Sequence, residues 1–110
     1  MSTFLYRIQP VRVGMLTDAP TEHEKRLVAE HFSYLQRLVA EGIVHMAGRT
    51  LNTDERAFGI VIFDAESEEA ARRIMKDDPA VKHNIMRAEF FPFRVALWSP
   101  KLPGVHENGS

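Results

Sequence analysis

Thr21 opens the best-bounded element of the chain. With Glu24 it forms the pattern T-x-x-E, in which each side chain can bond the other residue's backbone N–H, and Gly42 supplies the left-handed residue that closes a helix. The spacing predicts one helix from about Thr21 to Glu41. Its fixed ends make the flanks readable. Before it, Phe4, Tyr6 and Ile8 alternate with Leu5, Arg7 and Gln9, the period of a strand running from Phe4 to Val13, with Pro10 tolerable only near an edge or a bulge. The segment Thr17-Asp18-Ala19-Pro20 breaks it.

After the helix, Ile43 to Leu51 and Phe58 to Phe63 read as two strands about a polar turn, Asn52 to Arg56. Ser67 is a good N-cap followed by Glu68 and Glu69, whose charges suit the start of a second helix. That helix ends near Asp78, because Pro79 disfavours helical backbone in the residue before it. One more turn is expected within Ala80 to Met86 and a fourth strand from Glu89 to Trp98, leaving 99–110 as a flexible tail.

The order strand, helix, strand, strand, helix, strand is the split βαβ, or ferredoxin-like, arrangement of an α+β domain over residues 1–98. Two helices cover only one face of its four-stranded antiparallel sheet. The third strand is apolar on both sides, as is much of the fourth, so a second copy is expected on the open face. The chain then folds as a homodimer packed sheet to sheet, a dimeric α+β barrel.

Composition narrows the function. A chain of 110 residues makes one domain, and the lack of cysteine excludes disulfides, thiolate metal sites and cysteine nucleophiles. A formal net charge of -1, without a basic stripe, argues against nucleic acid. No apolar run reaches the ~20 residues of a membrane span, and the N-terminus does not read as a signal peptide. The expected location is the cytoplasm. No H-x-x-x-H or H-E-x-x-H spacing and no G-x-G-x-x-G or Walker pattern occurs, so neither a metal nor a cofactor is expected.

Two polar residues fall on apolar helix faces. At about 100° per residue, Leu27, Leu38, Leu35, Val28, Val39 and Phe32 share an arc of roughly 140°, and His31 lies inside it. A histidine so placed is either a hydrogen-bonded core residue or a general base. On the second helix Asp78 continues the face of Ala70, Ala71 and Ile74, at the unfavourable negative end of the helix dipole. It is either solvated beside Asp77 or stabilised by an imidazolium, an arginine or neighbouring amides. Both helices cover the same sheet face, so His31 and Asp78 point into one interior where they can pair.

The segments Glu30-His31-Phe32-Ser33-Tyr34-Leu35, Glu41-Gly42, Met46-Ala47-Gly48, Ser67-x-Glu69-Ala70-Ala71 and Asp78-Pro79-Ala80-Val81 resemble the YciI-like (YCII-related) proteins, over about residues 3 to 98. The resemblance implies a dimeric ferredoxin-like barrel whose first-helix histidine and Asp-Pro aspartate, here His31 and Asp78, form an acid–base dyad in a pocket. Some relatives act as dehydrochlorinases in aromatic-compound breakdown. The chain departs from the family pattern at Arg49, where proline is frequent, and at Ala80, where an aromatic residue is.

Arg49 either binds a carboxylate or phenolate of a substrate or faces solvent near the hairpin end. Ala80 is expected to leave a roomier pocket. His45, on the strand side of Ala47 and Arg49, either lines that pocket or enters the dimer core; His23, His83 and His106 read as surface residues. The leading expectation is a cofactor-free enzyme that uses His31 and Asp78 on a small aromatic or lactone-like molecule, by elimination, isomerisation or hydrolysis. The alternatives are a non-catalytic small-ligand binding or regulatory module with a structural His–Asp pair, and, by fold analogy, a cofactor-independent oxygenase.

Overall fold

The computed structural model describes residues 1–17 and 19–101. In chain order the elements are β1 (Ser2–Pro10), α1 (Gly14–Thr17), α2 (Glu22–Ala40), β2 (Val44–Arg49), β3 (Gly59–Ala65), α3 (Glu68–Asp77), α4 (Pro79–Lys82) and β4 (Met86–Pro92). The four strands form one antiparallel sheet in the order β2-β3-β1-β4. This is the ferredoxin-like α+β fold.

The local signals act as their chemistry dictates. Thr21 and Glu24 form the reciprocal capping box, Gly42 takes φ 77, and the Ser67 side chain accepts from the Ala70 N–H. Glu24 does more than cap. It is buried and held by Arg12 Nε at 2.9 Å, which ties the start of α2 to the end of β1.

Phe4, Tyr6 and Ile8 of β1, with Val61, Phe63 and Ala65 of β3, face Leu35 and Leu38 of α2 and Ala71 and Met75 of α3 in one core. Each such leucine contributes roughly 1.5–3 kcal/mol by burial. A smaller cluster of Met15, Leu27, Ala80 and Ile85 joins α1, α2 and α4 beyond the sheet's end.

Several boundaries and faces differ from the sequence expectation. β1 stops at Pro10, and the chain turns into α1 instead of continuing to Val13. β4 starts at Met86, opposite Pro10, rather than at Glu89, and it ends at Pro92 rather than Trp98. The cause is the length of its neighbour: Pro92 pairs with Phe4, Phe93 N–H donates to Thr3 O, and β1 itself begins at Ser2. Beyond Phe93 no strand remains to pair with. Most of the expected tail, residues 102–110 with His106, and also Asp18, lie outside the described residues.

On α2, Leu27, Leu35 and Leu38 are buried as expected, but Val28, Phe32 and Val39 are exposed, Phe32 by 65%. The inward stripe is narrower than the apolar arc. The open sheet face carries an apolar patch including Leu5, Ile60, Ile62 and Phe91, interrupted by the Arg7–Glu89 ion pair. No helix among the described residues is long and apolar enough to cross a membrane.

Candidate functional site

His31, midway along α2, and Asp78, between α3 and α4, are brought together. His31 Nδ1 lies 2.7 Å from Asp78 Oδ1 and 2.8 Å from Oδ2. Asp78 is fully buried, and the His31 side chain is 14% exposed. The awkward place of Asp78 at a helix C-terminus is resolved by the proline after it, which starts α4. Asp78 is that helix's N-cap, and its Oδ1 accepts from Ala80 N–H at 3.0 Å. Of the expected alternatives, an imidazolium, an arginine or neighbouring amides, the amide of Ala80 is present, a histidine ring lies within hydrogen-bond distance, and no arginine among the described residues meets Asp78.

A third donor comes from β1. Tyr6, wholly buried, donates its hydroxyl to Asp78 Oδ2 at 2.7 Å. Burial first, and then the Asp78 charge, push the Tyr6 phenol far above its ordinary 10.0, so it stays a neutral donor. Nearby, Tyr34 donates to Ile74 O at 2.8 Å, and burial together with Asp77 and Asp78 pushes its phenol up to about 12.

The donor set fixes the imidazole. Both Asp78 oxygens already accept hydrogen bonds, so the carboxylate accepts from His31 as well, and Nδ1 carries the hydrogen. The neutral ring then bears its lone pair on Nε2. That nitrogen has no partner among the described residues, where no buried side-chain polar atom lacks one, so Nε2 is open to solvent.

Beside the ring lies a cavity of about 860 Å³, lined by residues of α1, α2, β2 and β3 that include Met15, Val28, His31, Phe32 and Arg49, and by Phe58 just before β3. Gly59 keeps its floor low, since a Cβ there would stand 3.2 Å from Ile8 Cγ1 and from Gly48 O. The cavity is mostly apolar with a few polar groups, the usual constitution of a small-molecule site.

The remaining expected residues divide. Arg49 ends β2, is exposed, and lines the cavity. His45 does not line it. A bulge between Val44 and Met46 breaks the alternation and separates His45 from Ala47 and Arg49. His45 Nε2 instead meets Asp64 Oδ2 at 2.9 Å, and Thr3 Oγ1 donates to Asp64 Oδ1 at 2.7 Å. Ala80 also stays out of the cavity and packs with Met15 and Leu27.

Tyr6 and Lys25 are the site residues that sequence reasoning missed. Alternation shows that Tyr6 points inward but not that its hydroxyl meets a residue 72 positions away, and Lys25 reads as ordinary helix surface. Among the described residues no three His, Asp or Glu side chains converge as a metal cage requires.

These features define a small ferredoxin-like α+β domain with a buried carboxylate holding a histidine at the edge of an apolar cavity. The YCII-related domain model matches residues 11–94, and the chain belongs to that family. No curated protein matches it in sequence. Two of the solved structures that share the fold are enzymes of small molecules by name. One is 5-chloro-2-hydroxyhydroquinone dehydrochlorinase from Burkholderia phenoliruptrix, in complex with 2,5-dihydroxybenzoquinone, with TM-score 0.62 and 20% identity, covering 84% of this chain and 93% of that one. The other is muconolactone isomerase, with TM-score 0.61 and 19% identity, covering 98% and 99%.

Proposed function

We propose that this protein is a small acid–base enzyme that uses His31 as the proton-transferring group and Asp78 to orient it, on a small aromatic or lactone-like molecule bound in the cavity. The observation that carries the reading is the ring's asymmetry: Nδ1 is held by a fully buried carboxylate while Nε2 is unpartnered, and His31 lines a large apolar cavity. A base so arranged takes a proton from substrate through Nε2 and returns it to another atom, or to a leaving group, through the same nitrogen. Removal of a proton beside a departing group gives elimination, and its return at a different carbon gives isomerisation. The two structural neighbours, a dehydrochlorinase and an isomerase of ring compounds, support the choice of substrate class. Both steps use protein groups alone.

The working unit proposed is a homodimer formed through the open sheet face, where Leu5, Ile60 and Phe91 leave an apolar patch that the helices do not reach. Light scattering at micromolar concentration tests it, and a monomer contradicts it.

The activity is tested by screening wild type, His31→Ala and Asp78→Asn against chlorinated hydroquinones and lactones, following chloride release or ultraviolet absorbance. General acid–base catalysis is worth roughly 10²–10⁴-fold, so a loss of about that size in kcat/KM is expected in His31→Ala. Equal turnover by wild type and variant refutes the role of His31. Ligand binding without turnover by any form assigns the pair to a non-catalytic binding module.

A further inference from the structure

The cavity is electrically one-sided. Among the described residues the charged side chains that line it are Lys25 and Arg49, and no Asp or Glu does. That bias does not come from the chain as a whole, which has 14 Lys+Arg against 15 Asp+Glu. Several other arginines meet carboxylates, as Arg7 does Glu89, Arg12 Glu24 and Arg72 Glu68, while Arg87 meets Pro10 O and Gln9 Oε1. Arg49 meets none among the described residues. Lys25 has only a 3.4 Å contact with the exposed Glu22.

Arg49 is opposite Gly59 in the ladder, whose missing side chain would point at Ile8 on the helix-covered face. The guanidinium therefore belongs to the same side of the sheet as the dyad, in a cavity that Val28 and Phe32 of α2 also line. An anion bound there exchanges water for the fork of donors that a guanidinium presents.

We infer that the ligand of this cavity is a ring compound bearing a carboxylate, that Arg49 selects it by a two-pronged contact to the carboxylate oxygens, and that Lys25 adds positive potential from the helix wall. The inference rests on the cavity being the substrate site. It assigns Arg49 a specificity role, distinct from the proton transfer at His31. Two parallel N–H···O bonds favour a carboxylate over a phenolate, which offers a single oxygen, and favour arginine over lysine.

The probes are benzoate and benzamide, which match in shape and differ in charge, titrated into isotope-labelled full-length protein while backbone amide and His31 ring signals are followed by NMR. Benzoate is expected to shift the signals of cavity residues and to bind about tenfold or more tighter than benzamide. Arg49→Gln should abolish the preference, Arg49→Lys should keep only part of it, and Lys25→Gln should reduce it about two- to threefold. Raising salt to about 0.5 M should weaken benzoate and leave benzamide unchanged.

Equal binding of the two probes, an undiminished preference in Arg49→Gln, benzoate shifts confined to residues outside the cavity, or no benzoate binding at tens of millimolar would each overturn the proposal. The Arg49 side chain makes no hydrogen bond or ion pair among the described residues, so its variants should fold, and a circular dichroism spectrum identical to wild type checks that they do. The two readings fail separately. Lost charge preference with His31-dependent turnover removes only the carboxylate site, whereas charge preference with His31-independent turnover removes only the acid–base role.

Discussion

Among the described residues two histidine–aspartate pairs have similar contact distances, 2.7 Å for His31–Asp78 and 2.9 Å for His45–Asp64. Their settings differ. In the first, the carboxylate is fully buried and takes two further donors, from Tyr6 and Ala80. In the second, the side chains are 37% and 30% exposed, and Thr3 is the other side-chain donor. Water solvates the second pair if either member is removed, whereas nothing replaces the buried carboxylate of the first. Distance alone does not mark a site; burial, donor count and an adjoining cavity do.

The comparison is broken most directly by truncating each aspartate. Asp78→Ala leaves the Tyr6 hydroxyl, the Ala80 amide and His31 Nδ1 without their acceptor, and should cost roughly 3–5 kcal/mol in urea unfolding. Asp64→Ala should cost less than about 1 kcal/mol, because its pair is partly solvated. Equal losses would remove the distinction between the pairs.

Tyr6→Phe sharpens it at the level of one atom. The substitution keeps the ring that packs edge-on to Phe63 and deletes the hydroxyl that meets Asp78. A hydrogen bond to a charged group is worth about 1.5–3 kcal/mol, and a loss in that range is expected on denaturation. The double-mutant cycle of Tyr6→Phe with Asp78→Asn should show coupling of 0.5 kcal/mol or more, on the order seen for residues in contact. Additive effects would mean that Tyr6 acts only by packing.

The smallest effect is read by acid. Arg12 chiefly, with Thr21, holds the Glu24 carboxyl down to about 2 from an ordinary 4.5. A depressed carboxyl contributes stability that is present above its unfolded value and lost as pH falls through the folded one. Stability should therefore decline from about pH 4.5 toward 2, and Glu24→Gln should flatten that part of the profile. Asp64, lowered by Thr3 first and His45 after it, should add a lesser slope that Asp64→Asn removes. A profile unchanged by either substitution would show that these bonds do not form in solution.

Much of this was legible in the sequence, for reasons that differ residue by residue. Helix phase placed His31 toward the sheet, and Pro79 both ended α3 and placed Asp78 where it caps α4. Their pairing followed from two helices sharing one face. The order of strands and helices along the chain and the α2 capping box were written in alternation and in T-x-x-E. The bulge at His45 was not, because a run such as His45-Met46-Ala47 alternates equally well with or without an extra residue. The exposure of Phe32 was also hidden, since its apolar arc says nothing about how wide a strip the sheet covers. Tyr6 escaped notice because an inward tyrosine looks like any core aromatic until its hydroxyl's partner is known.

The central claim is that Asp78 fixes His31 with Nδ1 protonated and Nε2 free toward the cavity. Long-range ¹H–¹⁵N NMR of the imidazole side chains reports that directly in the intact protein. The account predicts that neutral His31 shows a protonated Nδ1 and a bare Nε2 whose signal shifts when a cavity ligand binds, and that Asp78→Asn alters the pattern. A neutral ring protonated on Nε2, or a spectrum that Asp78→Asn leaves unchanged, would contradict it.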